Sequence, residues 1–211
     1  VLDSSVDVSV TISAATSTSG TITNQPTTVS KPIVVASGLK IPWDLAFLSD
    51  GSILVTERAG NLVRISLDGV KTSISLPRPV PRGEGGLLGI VLHPDFAVNN
   101  FLYLYMTTQG TTGGTKNAVF RYRYMDGKLT EEKTIIAEIP GAIYHDGGRM
   151  EFGPDGLLYI TTGDATVPAI AQDKNSLGGK ILRLTDVGGL PSDNPFGTAV
   201  YSYGHRNPQG L

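Results

Sequence analysis

The sequence predicts an all-β fold made of repeated strand–turn–strand units, and three observations lead to this prediction. Gly (26) and Pro (13) together supply 39 of the 211 residues, which implies many turns. Short β-branched or alternating apolar runs are separated by turn signals such as Asp50-Gly51 and Asp68-Gly69. No segment keeps a 3.6-residue apolar period for about ten residues, and the best helix candidate, around residues 167–175, is short.

A repeat organises these strands. The segments 45–51, 90–96 and 150–156 align, and their Asp residues stand at positions 50, 95 and 155. A second and a third apolar strand follow each of them, and three or four strands in about 45–60 residues is typical of β-propeller blades. We therefore predict a partial β-propeller over residues 32–211. Its blades lie around 43–67, 86–125 and 148–185, with the start of a fourth at 205–211. A β-sandwich of similar hairpins is the alternative.

The first 31 residues differ from the rest of the chain. Ser and Thr supply 14 of the first thirty residues, and Asp3 and Asp7 are the only charges there. This composition predicts an extended linker or stalk over residues 1–31, with an irregular edge strand as the alternative. Ser/Thr-rich leaders are common on exported proteins. We therefore expect an extracellular or periplasmic location, with tethering to the cell surface as a variant of it.

The composition excludes several classes of function. The chain has 17 basic and 19 acidic residues, and a broad nucleic-acid surface normally brings a basic excess. No uncharged apolar run approaches about 18 residues, so no membrane span is expected in this stretch. Cysteine is absent, which excludes disulfide scaffolds, thiol catalysis and Cys-type zinc sites.

The hairpin of the third unit places a histidine near an aspartate. If Pro154 and Asp155 occupy the middle of the turn, facing residues have numbers that add to 309, which pairs His145 with Asp164 unless a bulge shifts the register by one. A carboxylate that holds one imidazole nitrogen leaves the other as a base. The pair is therefore a candidate base and orienter. A capped surface histidine beside a turn aspartate is the alternative.

The same topology places other polar segments at that end of the blades. Glu84 lies in Gly83-Glu84-Gly85-Gly86 before the second unit, and Arg206 and Asn207 lie before the predicted fourth. Glycines leave room for a flat ligand, and the Arg206 guanidinium suits a carboxylate. An ion pair between blades and a simple turn are the alternatives for Arg206 and Asn207. His93 falls in the turn at the opposite end, where we expect a structural role.

Taken together and in order, these segments resemble the N-terminal half of the soluble PQQ-dependent aldose sugar dehydrogenases of the glucose/sorbosone dehydrogenase family. The resemblance covers about residues 32–211 and implies a six-bladed propeller in the whole family fold. The stretches that carry it are Gly38-Leu39 to Leu45, Thr56-Glu57-Arg58-Ala59-Gly60, Gly83 to Gly89, His93-Pro94-Asp95-Phe96, His145-Asp146-Gly147-Gly148-Arg149, Gly163-Asp164, Gly178 to Leu184 and Gly204 to Gly210.

The resemblance implies a function and a role for each candidate residue. Pyrroloquinoline quinone (PQQ) is a flat quinone with carboxylates, bound beside a calcium ion. It would take a hydride from the anomeric carbon of an aldose, give a lactone and pass electrons to an external acceptor. His145 matches the base and Asp164 its partner. Arg206 and Asn207 match residues that grip the quinone, and Glu84 occupies a sugar-contacting position where glucose dehydrogenases carry Gln.

The family's calcium ligands correspond to positions beyond Leu211. The resemblance thus implies no metal ligand within these 211 residues, and we expect this stretch to be inactive alone.

Two other classes of function remain as alternatives. A calcium-dependent propeller lactonase or similar hydrolase needs a cage of Glu, Asp and Asn, of which these segments offer only Glu84 and Asn207. A non-catalytic propeller that binds glycans or proteins is the third class. The joint presence of His145, Asp164, Arg206 and Asn207 argues against it.

Overall fold

The computed structural model describes residues 34–111 and 113–211, so the predicted linker at 1–31 lies outside the described residues. The chain folds into three four-stranded antiparallel sheets, in each of which every strand pairs with its neighbour in sequence. The two helices of the described residues are single turns, α1 (Phe96–Asn99) and α2 (Pro168–Gln172). The predicted all-β class is confirmed. None of the described helices has the length and apolar character needed to cross a membrane.

The sheets follow one another along the chain as blades. The first contains β1 (Pro42–Phe47), β2 (Ile53–Glu57), β3 (Asn61–Ile65) and β4 (Lys71–Ser75). The second contains β5 (Leu87–Leu92), β6 (Phe101–Gln109), β7 (Thr115–Met125) and β8 (Lys128–Pro140). The third contains β9 (Met150–Phe152), β10 (Leu158–Thr162), β11 (Lys180–Leu184) and β12 (Val200–Tyr203).

The observed sheets extend beyond the predicted blade ranges, because each has a fourth strand that the ranges omit. β4 is mostly exposed and β8 includes a charged run, so neither shows the alternation of apolar residues that marks a half-buried strand. The segment 205–211, where a fourth blade was predicted to begin, contains no strand. It runs beside the third sheet, where the Asp164 N–H donates to the carbonyl of Arg206 at 2.8 Å, and the start of a fourth blade stays a prediction.

Two of the three hydrophobic clusters of the described chain lie between the sheets, as expected for stacked blades. One cluster joins the first and second sheets, and another joins the second and third. Strand β6 is buried on both faces: Leu102, Leu104 and Met106 enter the first cluster, whereas Tyr103 and Tyr105 enter the second. Burial of each such side chain contributes roughly 1.5–3 kcal/mol, so β6 is a central element of the fold.

The first strands of the three sheets lie close together. The Ile90 N–H of β5 donates to Asp44 Oδ2 of β1 at 3.1 Å, and Arg149, just before β9, bonds to Asp44 Oδ1. A Cβ on Gly89 would lie 2.1 Å from the carbonyl oxygen of Gly148, so only glycine permits this approach of the second and third sheets. The segments that precede these strands are thereby gathered at one end of the blades.

Candidate active site

The centre of the site is a hydrogen bond between a histidine and an aspartate. His145 Nδ1 donates to Asp164 Oδ1 at 2.7 Å, and the side chains are 13% and 3% exposed. The same oxygen accepts the N–H of Thr166 at 2.9 Å, which orients the carboxylate. Among the described residues, Nε2 of His145 has no hydrogen-bond partner. The carboxylate thus selects the tautomer in which Nε2 is free to accept a proton.

The predicted register of this hairpin was wrong by one residue. Phe152 faces Leu158, so facing numbers add to 310 rather than 309. The turn holds three residues because the Gly153 N–H donates to the carbonyl of Leu157 at 2.9 Å. His145 therefore lies beside Ala165, whose N–H donates to the His145 carbonyl at 3.2 Å. The histidine still reaches Asp164, because neighbouring cross-strand positions are within reach of long side chains.

The backbone on both sides of the pair is strained. His145 has φ +67°, and Ala165 and Thr166 have φ +51° and +64°. Left-handed backbone at a residue other than glycine costs on the order of 1–3 kcal/mol and persists only where surrounding contacts impose it. Two such segments face each other here, so the site is held by contacts from outside the hairpin.

Glu84 and Asn207 supply part of that support. Glu84 Oε2 accepts the backbone N–H of His145 at 2.8 Å and the side-chain amide of Asn207 at 3.3 Å. Asn207 Oδ1 accepts the N–H of Gly147 at 3.0 Å. Three segments that are distant in sequence thus meet around the histidine. Both residues were predicted to contact ligands, and their observed bonds show that they also fix the histidine segment.

Arg206 lies at the same site with a free guanidinium group. The carbonyl of Arg206 accepts the N–H of Asp164, which holds the Arg206 backbone next to the His145–Asp164 pair. The side chain is exposed, and within residues 34–111 and 113–211 it makes neither an ion pair nor a hydrogen bond. The alternative of an ion pair between blades is therefore not observed in the described chain, and the group is available to an anion.

A buried hydrogen-bond network, not predicted from the sequence, lies behind the histidine. Asp146 is 1% exposed, and its Oδ1 accepts the side-chain amide of Asn117 at 2.9 Å and the N–H of Ala142 at 3.3 Å. The hydroxyl of Tyr105 donates to the Asp146 carbonyl at 2.7 Å. Burial raises the pKa of the Asp146 carboxyl, and the nearby Glu84 charge adds to the effect. The one sequence feature that could have identified Asp146 is its position directly after His145.

A second missed residue is Lys180, whose side chain is fully buried. Its ammonium group donates to the carbonyl oxygens of Ile170, Ala171 and Gly178. Burial lowers the pKa of this lysine. The bonds hold α2 and the segment that follows it against β11, next to Asp164, so Lys180 shapes one wall of the site.

The described residues show no candidate metal centre. Within 34–111 and 113–211, no group of three or more His, Cys, Asp or Glu side chains could hold a metal ion.

Comparison with known proteins decides the family. The profile of the family described as Glucose / Sorbosone dehydrogenase matches residues 39–211. The chain belongs to this family. It is 38% identical over 191 residues to the aldose sugar dehydrogenase YliI of Escherichia coli K12, covering 84% of this chain and 52% of YliI. It is 34% identical over 213 residues to quinoprotein glucose dehydrogenase B of Acinetobacter calcoaceticus, covering 84% of this chain and 45% of that one.

Solved structures of the family agree with the fold. The PQQ-bound form of aldose sugar dehydrogenase from Streptomyces coelicolor superimposes with a TM-score of 0.77 and 42% identity, over 82% of this chain and 53% of that one. The chain spans about half the length of the curated relatives that it matches. The predicted family and the propeller-type all-β fold are therefore confirmed, whereas the roles of the individual site residues stay predictions.

Proposed function

We propose that this chain belongs to a PQQ-dependent dehydrogenase that oxidises aldose sugars at the anomeric carbon, with His145 as the general base. The observation that supports the proposal best is the 2.7 Å bond between His145 Nδ1 and Asp164 Oδ1, while Nε2 has no partner among the described residues. The proposal agrees with the family and with the names of its relatives, an aldose sugar dehydrogenase and a quinoprotein glucose dehydrogenase.

In the proposed oxidation, His145, Asp164 and Glu84 would each have a separate role. Nε2 of His145 takes the proton of the anomeric hydroxyl, while the anomeric hydride leaves to the acceptor and a lactone remains. Asp164 stabilises the imidazolium that forms, because a carboxylate beside a developing positive charge lowers its energy. Glu84 keeps the His145 backbone in place, and its second carboxylate oxygen, which has no protein partner in the described chain, is the atom we assign to sugar contact.

The described residues fit the quinone. Its carboxylates need cationic or donor partners, and the exposed guanidinium of Arg206 has no partner within residues 34–111 and 113–211. Asn207 keeps one amide hydrogen after its bond to Glu84. When bound, PQQ supplies the hydride acceptor, and an external acceptor removes the electrons afterwards.

The described residues offer no comparable set of side chains for calcium. No cluster of ligating side chains fits a calcium ion within residues 34–111 and 113–211, so no step is assigned to it here. A calcium requirement and an extracellular or periplasmic location remain part of the proposal through the family resemblance alone.

Dye reduction by the full protein tests the proposal. With an aldose and added PQQ and calcium, we expect turnover that falls at least about 100-fold in a His145→Ala variant, the usual scale for a positioned base. His93→Ala is the matched control, because His93 lies in the turn after β5, away from the His145–Asp164 pair, and contacts Asn99 and Asp186. Turnover that survives in His145→Ala would reassign the base. Oxidation that depends on NAD in the absence of PQQ would overturn the cofactor.

A further inference from the structure

We propose that Asp146 is the positioning residue of the His145 base, acting from the buried side of the segment that carries it. The proposal rests on the proposed function for its catalytic meaning. Its structural content, that Asp146 determines where the imidazole lies, can be tested without cofactor or sugar.

The carboxyl of Asp146 closes the segment 142–147 on itself and fastens it to the second sheet. Its Oδ1 accepts the N–H of Ala142, four residues earlier, and the side-chain amide of Asn117 from β7. Asn117 is fully buried, and its side-chain oxygen Oδ1 accepts the hydroxyl of Thr107 from β6 at 2.7 Å. A continuous chain of hydrogen bonds therefore runs from two strands of the second sheet to the residue after the base.

The backbone of Asp146 is fastened to the same sheet. Its carbonyl accepts the hydroxyl of Tyr105, a fully buried residue of β6. His145, directly before it, has φ +67°, a conformation that persists only where the surroundings impose it. The bonds to Glu84 and Asn207 hold this segment from the site, and those of Asp146 hold it from behind.

The second oxygen of the carboxyl indicates that fold stability is not the reason for an acid at position 146. Asp146 Oδ2 is sealed from solvent and has no hydrogen-bond partner in the described chain. A buried polar atom without a partner is unfavourable, and an apolar side chain of similar size would avoid that cost. An apolar side chain could not accept the bonds of Ala142 and Asn117, so the geometry points to positioning as the reason for an acid here.

The test compares Asp146→Ala with Asp146→Asn in the full protein. Asn keeps an oxygen that can accept both bonds, whereas Ala removes it. The first readout needs no cofactor: the downfield proton NMR signal of His145 Nδ1–H, assigned by its loss in His145→Gln. We expect the signal to be lost or shifted in Asp146→Ala and retained in Asp146→Asn. The second readout is sugar oxidation, where we expect kcat to fall about 10- to 100-fold in Asp146→Ala with little change in KM.

Asn194→Ala is the matched control. Asn194 is also buried, and its side-chain amide donates to the backbone carbonyls of Arg183 in β11 and of Thr198, but it lies away from the base. An unshifted signal in Asp146→Ala, an equal loss in Asp146→Asn, or the same loss in Asn194→Ala would overturn the proposal.

The role of Asp146 can still be tested if Asp146→Ala does not fold or if the protein oxidises no aldose. If Asp146→Ala does not fold, Tyr105→Phe removes only the hydroxyl that donates to the Asp146 carbonyl, and an unchanged His145 signal there would contradict the proposal. If the unaltered protein oxidises no aldose, the proposed function fails, and the NMR comparison still decides the role of Asp146.

Discussion

Replacement of Asp164 by Asn should remove the charge beside His145, the proposed base, while keeping the shape of the side chain. The amide oxygen can still accept the N–H of Thr166 and the Nδ1–H of His145, so the ring keeps its place. The loss is then the attraction between the carboxylate and the imidazolium that the proposed proton transfer would form. Two unit charges about 4 Å apart interact by about 4 kcal/mol at an effective dielectric constant of about 20.

That value is an upper limit for this pair. The lower limit is the difference between a charge-assisted and a neutral hydrogen bond, about 1–1.5 kcal/mol. Because about 1.4 kcal/mol is tenfold in rate, we expect kcat to fall by about 10- to 1,000-fold. KM for the sugar should change little, because Asp164 is 3% exposed in its side chain and bonds to the base and the Thr166 backbone.

Steady-state dye reduction over a range of aldose concentrations measures both constants. Asp155→Asn is the matched control. It makes the same chemical change in the turn at the opposite end of the same hairpin, where Asp155 pairs with Arg183. A kcat equal to that of the unaltered enzyme would refute the role of Asp164 as the orienting carboxylate. A rise in KM alone would mean that Asp164 binds the sugar instead.

Three further predictions concern stability and cofactor binding. Lys180→Met leaves Gly178 O without a donor from the described residues, whereas Ala171 O keeps the N–H of Gly204. We expect a loss of about 2 kcal/mol and about 4–8 °C in Tm, and an unchanged melting curve would contradict this. Burial raises the pKa of Asp146 above 3.8, so its contribution to stability is present at low pH and lost as pH rises through the folded-state pKa. Chemical denaturation should therefore show that Asp146→Asn gains stability relative to the unaltered protein between pH 3 and neutral pH, and a difference independent of pH would argue against a raised pKa. Arg206→Ala should weaken PQQ binding by about 10- to 100-fold in a fluorescence titration with little change in the melting curve, because its guanidinium has no partner in the described chain. Equal affinity would show that the quinone carboxylates bind elsewhere.

The strands that could be predicted are those in which local pattern and burial coincide. β2 and β6 are apolar and buried, and they follow the aligned turns of the repeat. β4 and β8 escaped prediction because an outer strand is stabilised largely by its backbone ladder, which leaves little trace in the side chains. The same limit applies to the hairpin register, where the extra turn residue depends on a backbone bond between Gly153 and Leu157.

The all-β class, the repeat and the proximity of His145 to Asp164 could be predicted from the residues, because these depend on local periodicity and on one short hairpin. How the histidine is held depends on long-range contacts that appear only in the folded chain. Its backbone N–H bonds to Glu84, 61 residues away, and the side-chain amide of Asn117 bonds to Asp146, 29 residues away. No periodicity records such pairs, because a buried polar group is satisfied by whichever partner the packing of separate sheets brings to it.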